Sequence, residues 1–212
     1  MLIIAIPKSA STSLMSTLGY LHDLPATQDF SFRNNSIPDK SCKIHTVHSD
    51  IRELTPDLVD KFVSKKSFFK QHIFPSRRNM KLLEGHRKVV LLRDPHDILK
   101  AYLRGKKKRF NGLPDGYNTK MTNKSMLKKA KEDGFFNDIV YFHNEWLKKN
   151  DSKTLIIFYE DYLRQTKKTI NDIEAFFNLE ISISEVKPLK VRYSRQGIFV
   201  KLKKKLKRIL LN

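Results

Sequence analysis

The sequence has a single cysteine, Cys42, among its 212 residues, which excludes an internal disulfide and a cysteine-based zinc site. It also lacks any apolar run approaching the ~20 residues that a membrane-spanning helix requires. The apolar run at the N-terminus is short and has no basic flank, so we expect no signal peptide and a cytoplasmic protein. These absences favour a soluble protein over a secreted or membrane-spanning one.

Acidic residues are scarce, with 22 Asp and Glu against 42 Lys and Arg, and the formal net charge is +20. A charge of this size attracts polyanions such as nucleic acid, acidic glycans, anionic lipid or a phosphorylated small molecule, without choosing among them. The length suits a single domain with a sizeable core. We expect one domain over residues 1–198, followed by a basic amphipathic tail at 199–212.

Apolar runs that alternate with helical patterns predict the fold class. Strand patterns occur at Leu2–Ile6, Ser67–Lys70, Lys88–Leu92 and Thr154–Phe158. Helical patterns occur at Ser11–Leu21, Pro56–Ser64, Asp97–Leu103, Phe136–Lys149 and Thr166–Phe177. This alternation predicts an α/β fold with a parallel central sheet flanked by helices. Segment 22–50 is predicted to be loop, and segment 105–134 a mobile insertion or lid.

The turn after the first strand has the composition of a phosphate-binding loop. A lysine and small residues follow Pro7, namely Lys8, Ser9, Ala10, Ser11, Thr12 and Ser13. Small residues let backbone N–H groups converge on an anion, and the following helix adds its partial positive charge. No glycine lies between Met1 and Leu18, so this is not the GxxxxGK[ST] loop of nucleotide hydrolases. The alternative is a capped helix after a core strand, with a solvated lysine.

Arg93 directly follows the strand KVVLL and precedes another helical pattern. Arginine at the carboxyl end of a parallel strand lies where open α/β sheets bind ligands, and its planar fork suits a phosphate. Asp94 or Asp97 is predicted to cap the helix, with Pro95 in its first turn. The alternative is a local ion pair between Arg93 and Asp97.

Three ordered blocks, PKSASTSL, KVVLLRDPHDILKAY and IIFYEDYL, resemble the sulfotransferases that use 3′-phosphoadenosine 5′-phosphosulfate (PAPS). The resemblance implies a P-loop-related fold, PAPS as cofactor, and transfer of a sulfuryl group to an acceptor hydroxyl. It implies that residues 8–13 bind the 5′-phosphosulfate, that Arg93 binds the 3′-phosphate and that Tyr159 contacts the adenine. The family's second 3′-phosphate ligand, a serine, falls on Ala101. The family's RKG loop corresponds to Arg195, Gln196 and Gly197.

His72 is the candidate general base, because FFKQHIFP resembles the KTHLP segment in which the family's catalytic histidine lies. A neutral imidazole suits proton abstraction from an alcohol at cellular pH. A surface or structural role is the alternative. The rivals, His45 and His48, have only Asp50 nearby as a further metal ligand, and we expect no metal.

Lys8 is expected to stabilise the leaving phosphate, and Lys70 to assist from the opposite side unless it is a solvated lysine beside a strand. The loop variant and the basic surface favour a carbohydrate acceptor or other small molecule, including an anionic glycan bound by lysines of segment 105–134. The tail at 199–212 either lies on an anionic membrane surface or packs its apolar stripe on the domain.

Two other functions stay open. A nucleotide or small-molecule kinase would need a Mg²⁺-supporting carboxylate and a glycine-containing loop, neither of which is evident. A basic protein that binds nucleic acid or a membrane surface could retain a nucleotide fold without catalysis, although nucleic acid is the less favoured partner. Strongly salt-dependent nucleic-acid binding would point to the latter.

Overall fold

The computed structural model describes residues 1–28, 50–51, 54–64, 66–106, 116–118, 120–149 and 151–180. Several residues of the predicted sites lie outside these ranges, namely Cys42, His45, His48, Arg195, Gln196, Gly197 and the tail at 199–212. None of the described helices is long and apolar enough to cross a lipid bilayer.

Strands and helices alternate along the chain. The strands are β1 (Leu2–Ala5), β2 (Ala26–Thr27), β3 (Asp50–Ile51), β4 (Phe68–Ile73), β5 (Lys88–Leu92) and β6 (Thr154–Phe158). The first four helices are α1 (Ser11–Leu21), α2 (Pro56–Ser64), α3 (Arg77–Leu82) and α4 (Pro95–Lys106). The remaining helices are α5 (Asn123–Glu132), α6 (Phe135–Leu147), α7 (Tyr159–Arg164) and α8 (Thr166–Phe177).

The strands form a sheet in the order β2-β4-β1-β5-β6, with β3 beside β4, and every pairing is parallel. Strand β1 lies between β4 and β5, with Ile4 opposite both Gln71 and Val90. The predicted α/β fold with a parallel central sheet is confirmed. Parallel strands need helical crossovers, so helices cover both faces of the sheet.

Each face of the sheet packs against its own set of helices. Ile3, Val89 and Ile157 point toward α1, α7 and α8, where they meet Leu14, Leu18, Tyr162, Ile170 and Ile173. The alternate residues Leu2, Ile4 and Val90 point toward the other helices, in a cluster with Phe62, Tyr102, Phe135, Phe142 and Trp146. Phe135, Phe142 and Trp146 are at most 2% exposed and fill this part of the core. Tyr141 is exposed and stacks on Phe74 instead.

The predicted loop and lid segments were partly wrong. Segment 22–50 contains β2 and the start of β3, which are too short to show a pattern and depend on hydrogen bonds to β4. Segment 105–134 contains α5, where Met126 and Ala130 are fully buried and the Thr122 hydroxyl caps the helix by accepting the Ser125 N–H. Packing and a cap therefore make a helix where glycine and lysine content predicted a lid.

Two other predicted elements, one strand and one helix, were too short. Strand β4 extends to Ile73 rather than Lys70, which places His72 within the strand. Helix α4 begins at Pro95 rather than Asp97, because the Asp94 carboxylate accepts the Asp97 N–H at 3.0 Å and caps the helix. This agrees with the predicted capping role of Asp94 and with proline in the first turn.

Gly19 allows helix α1 to lie directly against the chain that leads into β2. A Cβ atom built at Gly19 would lie 2.5 Å from the Ala26 Cβ and 3.0 Å from the Leu24 carbonyl oxygen. Real Cβ atoms do not approach other atoms this closely, and both neighbours are fixed to the backbone. Glycine is therefore required here for close approach rather than for backbone freedom.

We expect Gly19→Ala to lower the free energy of unfolding by about 1–2 kcal/mol, because overpacking outweighs the better helix propensity of alanine. Chemical denaturation monitored by circular dichroism measures this value. The control is Ser16→Ala in the same helix, which removes an atom instead of adding one. Equal stability of Gly19→Ala and the wild type would contradict the close-approach explanation.

Candidate functional site

Four neighbouring strands end at one edge of the sheet, and each brings a predicted site residue there. His72 lies near the carboxyl end of β4, Lys8 follows β1, Arg93 follows β5 and Tyr159 follows β6. Because the strands are parallel, their carboxyl ends share one edge, which is where open α/β sheets bind ligands. The structure therefore brings together residues that are far apart in the sequence.

The turn between β1 and α1 has an unusual backbone. Lys8 and Ala10 have φ values of 71° and 66°, in the left-handed region that residues with a Cβ atom rarely adopt. Left-handed residues in a tight turn direct successive N–H groups toward one point, and such nests bind anions. Helix α1 begins directly after this turn and adds the partial positive charge of its N-terminus. The backbone thus forms an anion cradle without glycine.

The hydroxyl groups of this turn mostly brace it. The buried Ser9 hydroxyl donates to the Ile6 carbonyl at 2.7 Å. The Ser13 hydroxyl lies 3.3 Å from the Tyr162 hydroxyl, which also contacts Thr17 at the same distance. Burial raises the pKa of Tyr162, while these two hydrogen bonds act in the opposite direction. The hydroxyls of Ser9 and Ser13 are therefore engaged in shaping the turn.

Both predicted catalytic lysines are held by the protein. The Lys8 ammonium lies 5.5 Å from the ring centroid of Tyr102, at cation–π distance, and burial lowers the pKa of Lys8. Lys70 is only 5% exposed and donates to the Thr12 hydroxyl at 3.5 Å. The alternative of a solvated lysine is therefore wrong for Lys70, whereas Lys8 is half-buried. Lys70 approaches the first turn of α1 from the neighbouring strand.

Arg93 is 7% exposed and contacts two other parts of the site. Its Nη1 donates to the Lys8 carbonyl oxygen at 2.9 Å, and its guanidinium lies 4.0 Å from the ring centroid of Tyr159. The buried Nε has no hydrogen-bond partner among the described residues. A buried donor without an acceptor is costly and fits a site that receives an anion.

The alternative pairing of Arg93 with Asp97 is wrong. Asp97 instead accepts a hydrogen bond from Lys100 at 2.9 Å, and this bond holds the pKa of Asp97 below its usual value. Ala101 lies on the same helix, half-buried, with no hydroxyl to offer. Lys100, the neighbour of Ala101, is thus engaged with Asp97 on the exposed side of α4.

His72 is buried at 6% exposure, and its Nδ1 lies 2.5 Å from the Ala5 carbonyl oxygen. A carbonyl only accepts hydrogen bonds, so Nδ1 carries the proton in the neutral ring. The lone pair is therefore on Nε2, the nitrogen that a general base needs. The neighbouring strand β1 selects the tautomer of His72.

Sequence reasoning missed the roles of Tyr102 and Tyr162, which support Lys8 and Ser13. Both residues lie within the blocks RDPHDILKAY and IIFYEDYL, and that was the only available signal. Across the described ranges, no group of three or more His, Cys, Asp or Glu side chains is placed to hold a metal ion.

The fold is similar to the folds of several known proteins. A mouse sulfotransferase solved with adenosine 3′,5′-bisphosphate (PAP) is similar over 86% of this chain and 59% of its own, at 18% identity and a TM-score of 0.54. A retinol dehydratase solved with androsterone and PAP is similar over 85% of this chain and 60% of its own, at 17% identity and a TM-score of 0.53. This chain thus spans about three fifths of the length of these two proteins.

A sulfotransferase from Alicyclobacillus acidocaldarius is similar over 98% of this chain and 90% of its own, at 12% identity and a TM-score of 0.53. These likenesses support the fold. No curated protein matches this sequence. The family model for the sulfotransferase domain matches residues 1–205, which is nearly the whole chain. The chain therefore belongs to the sulfotransferase domain family.

Proposed function

We propose that this protein is a sulfotransferase that transfers a sulfuryl group from PAPS to an acceptor hydroxyl. The observation that carries the proposal is the shared edge where the cradle, the buried Arg93 and the oriented His72 meet. Family membership and the PAP in two structurally similar proteins support it. An anion cradle beside a positioned base is what sulfuryl transfer to an alcohol requires.

The residues of the site fit the two charged groups of PAPS. The backbone N–H groups of residues 8–13 would hold the 5′-phosphosulfate, and the unpartnered Nε of Arg93 would meet the 3′-phosphate. The ring of Tyr159, which lies beside Arg93, would contact the adenine. Arg195, Gln196 and Gly197, outside the described residues, would complete the 3′-phosphate site. When bound, PAPS supplies an activated sulfuryl group.

His72 would accept the proton of the acceptor hydroxyl at Nε2. The Ala5 carbonyl keeps Nδ1 protonated and stabilises the imidazolium that forms, because it remains hydrogen-bonded to the charged ring. A base fixed by a strand of the sheet needs no reorientation before it acts. This is the physical reason for assigning the role to His72.

Lys8 would stabilise the negative charge that develops on the departing phosphate. It lies beside the cradle and is half-buried, and electrostatic interactions are stronger where water is excluded. The ring of Tyr102 supports the ammonium without neutralising it. Lys70 would add positive charge at the first turn of α1.

For the acceptor we propose a hydroxyl on a carbohydrate or other small molecule, with an anionic glycan as the favoured class. The net charge of +20 supports an anionic acceptor. So does the loop PKSASTS, which is closer to the PKTASTS form of glycan-modifying sulfotransferases than to the PKSGTTW form.

We expect PAP to bind at least about tenfold more tightly than ATP, because a charge-assisted hydrogen bond from Arg93 to the 3′-phosphate has no counterpart in ATP. Isothermal titration calorimetry with PAP, and with ATP in the presence and absence of Mg²⁺, measures the difference. Tighter binding of Mg²⁺-ATP would favour the kinase and contradict the proposal.

We expect His72→Gln to lower kcat by about 10²–10⁴-fold, because the base is lost, while PAP affinity stays within about twofold of the wild type. His143→Gln, at a half-buried position on α6 beside Asn144, is the matched control and should keep wild-type kinetics. Steady-state kinetics measure kcat, and calorimetry measures the affinity for PAP separately. Parallel loss of turnover and PAP affinity would remove His72 from the role of base.

We expect Lys8→Met to lower kcat by about 10²-fold or more, with a smaller change in the KM for PAPS, since the charge develops mainly in the transition state. Lys168→Met is the control, because Lys168 is exposed on α8 and paired with Asp172. Initial-rate measurements at varied PAPS concentration give kcat and the KM for PAPS of both variants. Wild-type kcat in Lys8→Met would exclude the assigned role.

A further inference from the structure

Arg93 makes its shortest described contact with the phosphate loop itself. Its Nη1 donates to the Lys8 carbonyl at 2.9 Å, in a position that is 7% exposed. Lys8 has a left-handed backbone, which residues with a Cβ atom avoid unless their surroundings hold them there. A buried charged donor on the carbonyl of this residue is such a restraint.

The guanidinium itself is well fixed. The centroid of the Tyr159 ring lies 4.0 Å from this planar group, at cation–π distance. One edge of this plane reaches the Lys8 carbonyl through Nη1, while the buried Nε has no partner among the described residues. A planar fork can serve two acceptors at once, as a single ammonium on a flexible stem cannot.

We propose that Arg93 serves both phosphate subsites: it contacts the 3′-phosphate and it also holds the loop of residues 8–13 in its anion-binding conformation. This inference rests on the proposed function and extends it. Arg93 is then a positioning residue for the 5′-phosphate subsite, which it does not need to touch. Its loss weakens binding even of a nucleotide that has no 3′-phosphate.

The test compares PAP with adenosine 5′-monophosphate (AMP), which lacks the 3′-phosphate, by calorimetry on the full chain. We expect Arg93→Met to weaken AMP binding by about tenfold or more, and PAP binding by a larger factor, because PAP loses both effects. Arg104→Met, on the exposed side of α4, is the matched control and should leave both affinities unchanged. Weaker PAP binding with unchanged AMP binding would overturn the inference.

A second measurement reads the loop directly. Hydrogen exchange of ligand-free protein should be faster in residues 7–14 of Arg93→Met than of the wild type, with strands β1 and β5 equally protected in both. Unchanged exchange in residues 7–14 would also overturn the inference. Should Arg93→Met not fold, Arg93→Lys replaces it with the same expected weakening of AMP binding, because lysine lacks the fork.

The two proposals fail in different ways. If wild-type protein binds PAP no more tightly than ATP, the sulfotransferase proposal fails, whatever the variants do. If wild-type protein prefers PAP and Arg93→Met weakens the binding of PAP but not of AMP, the sulfotransferase proposal stands. The second role of Arg93 is then excluded.

Discussion

The parallel pairing of β1 with β4 on one side and β5 on the other determines the geometry of the site. With Ile4 opposite Gln71 and Val90, the residues that follow β1 emerge between His72 and Arg93. No side chain could bring these three groups together if the strands ran in mixed directions, because their carboxyl ends would lie at opposite edges of the sheet. Two hydrogen bonds to backbone carbonyls then join the elements: His72 to Ala5 and Arg93 to Lys8.

Positive charge is concentrated at this edge, where Lys8, Lys70 and Arg93 lie. The buried Arg93 donates to a carbonyl and lies against a ring, and its Nε has no hydrogen-bond partner among the described residues. Burial of a cation against neutral partners costs free energy, which an incoming anion can offset. The site therefore has an electrostatic reason to bind a phosphorylated ligand, independent of any likeness to other proteins. The strained turn at Lys8 and Ala10 belongs to the same arrangement, since it presents backbone donors where the side chains place the charge.

Long segments with a clear hydrophobic period were predictable from the sequence. Short segments that form only through contacts with other parts of the chain were not. Helices α1, α2 and α8 begin and end at the predicted residues, because the hydrophobic period acts locally. Strands β2 and β3 have no independent signal and exist through pairing with β4. The serines of the turn show the same limit at the site. Composition predicted a phosphate-binding loop, but only the folded chain shows that the Ser9 and Ser13 hydroxyls contact the Ile6 carbonyl and Tyr162.

The alternation of strands and helices, the phosphate-loop composition and the family were predictable from the sequence alone. Each of them depends on residues that are contiguous in the chain. Three properties follow only from the folded chain: Nε2 of His72 holds the lone pair, Arg93 contacts the Lys8 backbone rather than Asp97, and Lys70 is buried. These properties depend on atoms contributed by strands distant in sequence. The local sequence pattern does not predict which carbonyl or ring lies beside a given side chain in the folded protein.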